Sequence, residues 1–204
     1  MGPRRDAVRN RGLLSRAAAD VFREEGADAP LDLVARRAGL GRGTLYRHFP
    51  DRGFLLAALL EERLATLESF AASYPGDDLV ERLLVEICGL LEEVPGLMTA
   101  AGAYTSSRER LEAVTKRTEE LLAASLDRAK RAGTIRAEVV LDDLLVTFAM
   151  FDGVIVAGTA RPLAGFPHRA LALTLRALRT PARADEPVPE RTIPFPVPAQ
   201  ELAD

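Results

Sequence analysis

Apolar residues recur at helical spacing along almost the whole 204-residue chain. Leu14, Ala17, Ala18, Val21 and Phe22 share one face of a predicted first helix, residues 6–25, which Gly26 closes. A short second helix is expected over 32–38, with Pro30 near its start, and a third over 42–49. Asp51 stands where an N-cap is needed for a long fourth helix carrying Leu55, Leu56, Leu59, Leu60, Leu64, Leu67 and Phe70. That helix runs to "YPGDD". A fifth, over 77–94, places Val80, Leu83, Ile87, Leu91 and Val94 on one side, after which "PGLMTAAGAY" breaks the period.

The pattern resumes over 106–132, where Leu111, Val114, Thr118, Leu121 and Ser125 keep helical spacing up to Gly133. Asp142 and Asp143 open an apolar helix over 144–158, and a last helix is expected over 167–179 around Leu171, Leu175 and Leu178. No stretch alternates with period two between turn signals, so no sheet is expected. From Pro181 onward six prolines fall in 24 residues, which predicts an extended or disordered tail and no helix. Its apolar "TIPFPVP" either lies along the body or serves as a proline-rich recognition segment.

Composition narrows the function. With 48% hydrophobic and 28% charged residues the chain reads as globular, long enough for one domain or a small one joined to a medium one. The single Cys88 forms no intramolecular disulfide and no thiol cluster, and reads as a small buried hydrophobe in a reducing cytoplasm. No basic cluster stands near it to make a redox sensor. "MGPRRDAVRN" has no secretory apolar region, and Asp6 occupies the Ser or Thr position of a myristoylation signal. The longest apolar run, 144–158, is shorter than the ~20 residues of a membrane span and contains Asp152, so no membrane partner is expected. Two histidines, one cysteine and no nucleophile-elbow or zincin motif leave no basis for an enzyme, a metal or a cofactor. His168 reads as a surface or interface residue.

Charge is uneven. Residues 1–52 hold eleven arginines against seven acids, while the remainder holds 16 bases against 23 acids. A basic head on an acidic body fits a protein that presents one end to a polyanion, although ordinary surface scatter yields a similar excess.

The densest chemistry lies in "RRAGLGRGTLYRHFPDR", residues 36–52. A Walker loop needs Lys after its last Gly, and none is present. A dinucleotide fingerprint needs Gly where Thr44 stands and a strand where "DLVARRAG" reads as a helix. A kinase loop fails on the same two counts. A helix-turn-helix accounts for the residues one by one. Ala35 is small where two helices cross, Gly39 supplies the positive φ that ends the second helix, and Val34, Leu40 and Leu45 fill the angle. The third helix then presents Arg42, Gly43, Thr44, Tyr46, Arg47 and His48 around Leu45 and Phe49. Such donors suit the major groove of double-stranded DNA, where Arg reads guanine and Thr, Tyr and His hold phosphates.

The stretch "APLDLVARRAGLGRGTLYRHFPDRGFLLAAL" closely resembles the DNA-binding head of the TetR family of one-component regulators, most densely over residues 8–60. Its "APL…RRAG" form also resembles the SbtR-like subgroup. The resemblance implies an all-α fold of about nine helices, with a three-helix head and a ligand-binding, dimeric body. Residues 1–52 would be the DNA-binding domain and 53–180 the effector-binding and dimerisation domain, followed by the 181–204 tail. Arg42, Gly43 and Thr44 match the family's base-facing positions, Tyr46 and His48 its phosphate-binding pair, and Arg52 the base that holds a phosphate at the start of the fourth helix. Two positions depart from the pattern. Gly41 replaces the usual Ser or Thr N-cap of the third helix, and Pro30 with Leu31 replaces a hydroxyl residue at the start of the second.

The resemblance further implies a cytoplasmic homodimer that binds a pseudo-palindromic operator as a repressor and releases it on binding an unknown small molecule. The competing reading is a helical carrier or protein-interaction module without DNA binding. "PRRDAVRNR" would be a solvated arm that settles on the minor groove or phosphates. Helices over 141–158 and 166–180 would pair as a four-helix dimer bundle, disrupted by Arg at Leu145 or Leu175. Met98, Tyr104, Phe148 and Phe151 are candidate effector contacts or simply core. Asp152 is either an effector contact or a satisfied polar residue of the dimer seam.

Overall fold

Nine α-helices form among the described residues of the computed structural model, which are 3–160 and 165–194. They are α1 Pro3–Glu25, α2 Leu31–Arg37, α3 Arg42–His48, α4 Arg52–Ser73, α5 Leu79–Glu93, α6 Leu97–Gly102, α7 Arg108–Arg131, α8 Leu141–Ala160 and α9 Phe166–Leu178. No strand occurs among the described residues beyond a single bridge between Ile135 and Arg179.

The expected punctuation holds. Gly26, Gly39 and Gly133 all adopt positive φ at helix ends, and the Asp51 carboxylate accepts the Phe54 amide at 3.1 Å to cap α4. Asp143 does similar work for α8 by accepting the Val140 amide at 2.8 Å.

Three expectations need correction. The N-terminal arm is helical from Pro3 and runs without a break through Gly12 into the apolar face that anchors α1, with Pro3 in the first turn, where its missing N–H costs nothing. "PGLMTAAGAY" contains α6, a short helix that follows Gly96 at φ 78°. Its two turns were too short to show a period. The described part of the tail, 181–194, is neither disordered nor wholly extended. Pro181–Arg183 makes a 3₁₀ turn and the chain to 194 lies along the body. Residues 195–204, with the rest of "TIPFPVP", lie outside the described residues.

Two apolar clusters share α4. One joins α1, α2, α3 and the start of α4 to Leu90, Val94, Leu97 and Ala100 from α5 and α6. The other joins α4, α5, α7, α8 and α9 and includes Ile193 from the tail. Cys88 is fully buried there, and burial pushes its thiol up to about 12, as expected of an inert small hydrophobe.

α5 is the central helix, buried nearly all round, and its two carboxylates Glu81 and Glu86 are buried with it. Glu81 accepts both Nε and Nη2 of Arg179, at 2.9 and 2.6 Å, and Arg183 at 2.8 Å. Glu86 accepts Arg63 at 2.8 Å and the Ile193 amide at 3.0 Å. These pairs pin the tail across α5. Gly89 leaves room for the Arg191 side chain that crosses it, since a β-carbon there would overlap the guanidinium.

Candidate nucleic-acid interface and effector cavity

α2 ends in a Schellman arrangement that fixes the angle of the following turn. The Leu40 amide donates to the Ala35 carbonyl at 3.0 Å and the Gly39 amide to that of Arg36 at 3.0 Å, with Gly39 at φ 67°. Leu40 packs on the head core, Val34 and Leu45 are buried within it, and Ala35 lies at the crossing with 2% exposure. Gly41 offers no side-chain cap to α3. Its carbonyl instead accepts the Thr44 and Leu45 amides at 2.9 and 3.2 Å.

With Leu45 turned inward, α3 presents Arg42, Gly43, Tyr46 and Arg47 to solvent, and Thr44 and His48 half-buried beside them. Arg42 Nε lies 2.9 Å from Asp32 in an exposed ion pair, a contact of small net worth that a base edge can replace. Arg47 lies back along α3 and donates to the Gly43 carbonyl at 3.2 Å and the Thr44 hydroxyl at 3.0 Å. A β-carbon at Gly43 would meet only open space, so this point of the surface is bare backbone.

Arg52 does not join this surface. Its guanidinium donates to the carbonyls of Ala27, Asp28 and Ala29, the last two at 3.1 and 2.7 Å, and lies over the Phe22 ring. The expected phosphate contact is therefore engaged in closing the turn between α1 and α2. Those carbonyls follow the end of a helix and have no backbone partners of their own, which is why the cation sits there. Sequence spacing could not reveal it, because the partners lie more than twenty residues upstream.

The five candidate effector residues divide. Met98 and Phe148 line one cavity of about 160 Å³ enclosed by α4, α5, α6, α7 and α8, where leucines predominate. Tyr104 lines a separate, more polar depression between α6 and α7, and Phe151 a groove between α5, α9 and the tail. Asp152 lines none of the three. Burial raises its carboxyl above the usual range, and one of its oxygens is buried without a partner. Arg63, which the sequence reading passed over, lines the apolar cavity and is 2% exposed. The only signal for it was a base within the apolar face of α4.

One end of the body touches the head directly. Asp51 accepts the Ser106 hydroxyl, and Gly53 packs against Tyr104 and Ser107 in the segment joining α6 to α7. No helix among the described residues is long and apolar enough to cross a membrane, and these residues hold no group of three metal-ligating side chains.

Comparison with known proteins agrees with this anatomy. Residues 14–59 match the family model described as bacterial regulatory proteins, tetR family, and residues 74–180 match that of the transcriptional regulator SbtR-like C-terminal domain. An uncharacterized HTH-type transcriptional regulator of Mycobacterium bovis is 32% identical over 133 residues, 62% of this chain and 69% of its own. A TetR transcriptional regulator of Streptomyces coelicolor superposes with TM-score 0.62 at 29% identity, covering 84% of this chain and 99% of that one. A TetR transcription regulatory protein of Mycobacterium vanbaalenii gives 0.56 at 28%, covering 88% and 100%.

Proposed function

The chain belongs to the TetR family of DNA-binding transcriptional regulators, and from that premise we propose that it is a cytoplasmic homodimeric repressor released from its operator by a small molecule. The exposed face of α3 carries the reading. Arg42, Gly43 and Thr44 face bases, and Tyr46, Arg47 and His48 hold the flanking phosphates. Residues 1–52 form the DNA-binding unit, and 53–180 the effector and dimerisation unit.

The dimer rests on α8 and α9. Val146 and Met150 on α8 are 55% and 65% exposed, and Phe166 and Leu173 on α9 are 53% and 52% exposed. Large apolar side chains left bare on two neighbouring helices favour a second copy as their cover. Two heads held at a fixed separation then read a pseudo-palindromic site.

Effector release follows from the same geometry. α6 contributes Met98 to the cavity wall, and the segment after α6 presses on Gly53 at the start of α4, which follows α3 directly. A ligand that shifts α6 biases the position of α3, and so the spacing of the two heads. The test is selection of genomic fragments by the purified protein at two salt concentrations. A shared inverted-repeat motif supports the reading. Failure to retain DNA at low salt rejects it in favour of the carrier module.

A further inference from the structure

The apolar cavity enclosed by α4, α5, α6, α7 and α8 and the polar depression between α6 and α7 share two lining residues, Thr115 and Glu119. The two spaces therefore adjoin along the gap between α6 and α7. The cavity takes Leu97 and Met98 from the first turn of α6, and the depression takes Ala101 and Gly102 from its last. Exposure shows where the cavity opens. Leu64, Leu67 and Leu91 in its wall are buried, whereas Met98 is 53% exposed, Thr115 is exposed and Glu119 is half-buried. The mouth is thus the boundary with the depression, with the flexible Met98 side chain across it.

Inside, a polar group finds no partner. Thr118 donates its hydroxyl to the Val114 carbonyl at 2.9 Å. Arg63 is 2% exposed, commits its Nη groups to Glu86 and to the carbonyls of Ile193 and Pro194, and leaves its Nε almost without accessible surface. A hydroxyl or carboxylate carried inward would lose its water and gain nothing. The depression is the reverse. Half-buried Tyr104 and exposed Arg108, Glu112 and Lys116 surround it with donors and acceptors that solvent also reaches.

Size sets the rest. An apolar cavity of about 150 Å³ holds a benzene-sized molecule, so the space of about 160 Å³ here takes about six to eight carbon atoms. We infer that the effector is a single-headed amphiphile: a hydrocarbon end of that length fills the cavity, and one polar end emerges past Met98 and Thr115 into the depression. This rests on the proposal that the cavity is the effector site. Such a ligand touches α6 and α7 together and so fixes the width of the gap between them.

The experiment titrates the full chain with straight-chain primary alcohols from butan-1-ol to decan-1-ol, and with hexane-1,6-diol, by calorimetry. Affinity should rise about fourfold for each added CH₂ and level off at about six to eight carbons, where the cavity is full. Hexane-1,6-diol should bind at least about tenfold more weakly than hexan-1-ol, since one hydroxyl must go inside without a partner. Nuclear Overhauser contacts should join the terminal methyl of hexan-1-ol to Leu64 or Phe148 and its C1 protons to Met98. Leu145→Phe, which narrows the cavity from α8, should shift the levelling-off to shorter chains. Should that variant fail to fold, the wild-type series and contacts still decide. No binding, affinity independent of chain length, a diol that binds as well as the alcohol, or C1 protons lying against Leu64 or Phe148 overturns the inference. None of these measurements involves DNA, so their failure leaves the regulator reading standing, and failure to retain DNA leaves them intact.

Discussion

Gly53 lies so close to Tyr104 that a β-carbon at position 53 would stand 2.5 Å from the Tyr104 β-carbon. The neighbour is the rigid root of a side chain rather than a movable tip. Gly53→Ala must therefore push α4 away from the segment that follows α6. Overpacking of this kind costs about 1–3 kcal/mol, and a lower Tm is expected. Operator affinity should change as well, because α4 follows α3 directly. Calorimetry and an operator-binding titration check both effects; normal stability with normal binding would show that this contact transmits nothing.

Base readout and phosphate anchoring separate by mutation. Arg42→Ala should relax preference at one base pair of each half-site, costing about 1–3 kcal/mol there. Tyr46→Phe and His48→Ala should weaken binding to all sequences together. Titrations against single-substituted operators distinguish the two patterns. An unaltered preference in Arg42→Ala would make Arg42 a phosphate ligand that leaves its ion pair with Asp32 for the DNA backbone.

The head was the most legible part of the chain. Gly39, Ala35 and Leu45 each have a local reason for being where they are, and those reasons act within a few residues. The body was legible as helices but not as a site. Glu81 meets Arg179 across 98 positions, and Glu86 meets the Ile193 amide across 107. Neither pairing leaves a trace in periodicity, so a proline-rich stretch that docks looks the same as one that does not. α6 was lost for a different reason: six residues are too few for a helical period to show.

The same distinction revises the test of the dimer. Leu175 is fully buried and Leu145 packs against the core, so Arg at either position should unfold the subunit rather than divide the dimer. Met150→Arg and Leu173→Arg fall on bare surface and should give folded monomers. Sedimentation combined with circular dichroism tells the outcomes apart. A Met150→Arg, Leu173→Arg double variant that remains a dimer would place the interface elsewhere.

Asp152 should make stability fall as pH rises. Burial raises its folded pKa above the unfolded value of about 3.9, so the folded state holds the proton more tightly. The associated stability is complete below the unfolded value and is lost as pH climbs through the folded one. Asp152→Asn removes that dependence. Melting curves of both proteins across the acid range check it, and parallel pH profiles would show that a partner cation compensates the carboxylate.

Arg52 gives the sharpest contrast between a role inferred from motif position and one inferred from contacts. As a phosphate ligand it would contribute about two to the charge count of a dimer, and its removal would flatten the salt dependence by about two units. As a clamp on the Ala27, Asp28 and Ala29 carbonyls it contributes stability instead. With Arg52 set aside, Arg42 and Arg47 remain on each head, and Arg5 and Arg9 are exposed on α1. If two to four of these per subunit reach the backbone, the slope of log K against log salt should lie at about −4 to −7. Arg52→Ala should keep that slope and lower stability by about 1–3 kcal/mol, since the freed carbonyls lose their donor. Arg47→Ala should do the opposite, flattening the slope by about two units with a nearly unchanged Tm. A flattened slope in Arg52→Ala with no loss of stability would return Arg52 to the DNA and leave the turn between α1 and α2 to hold itself.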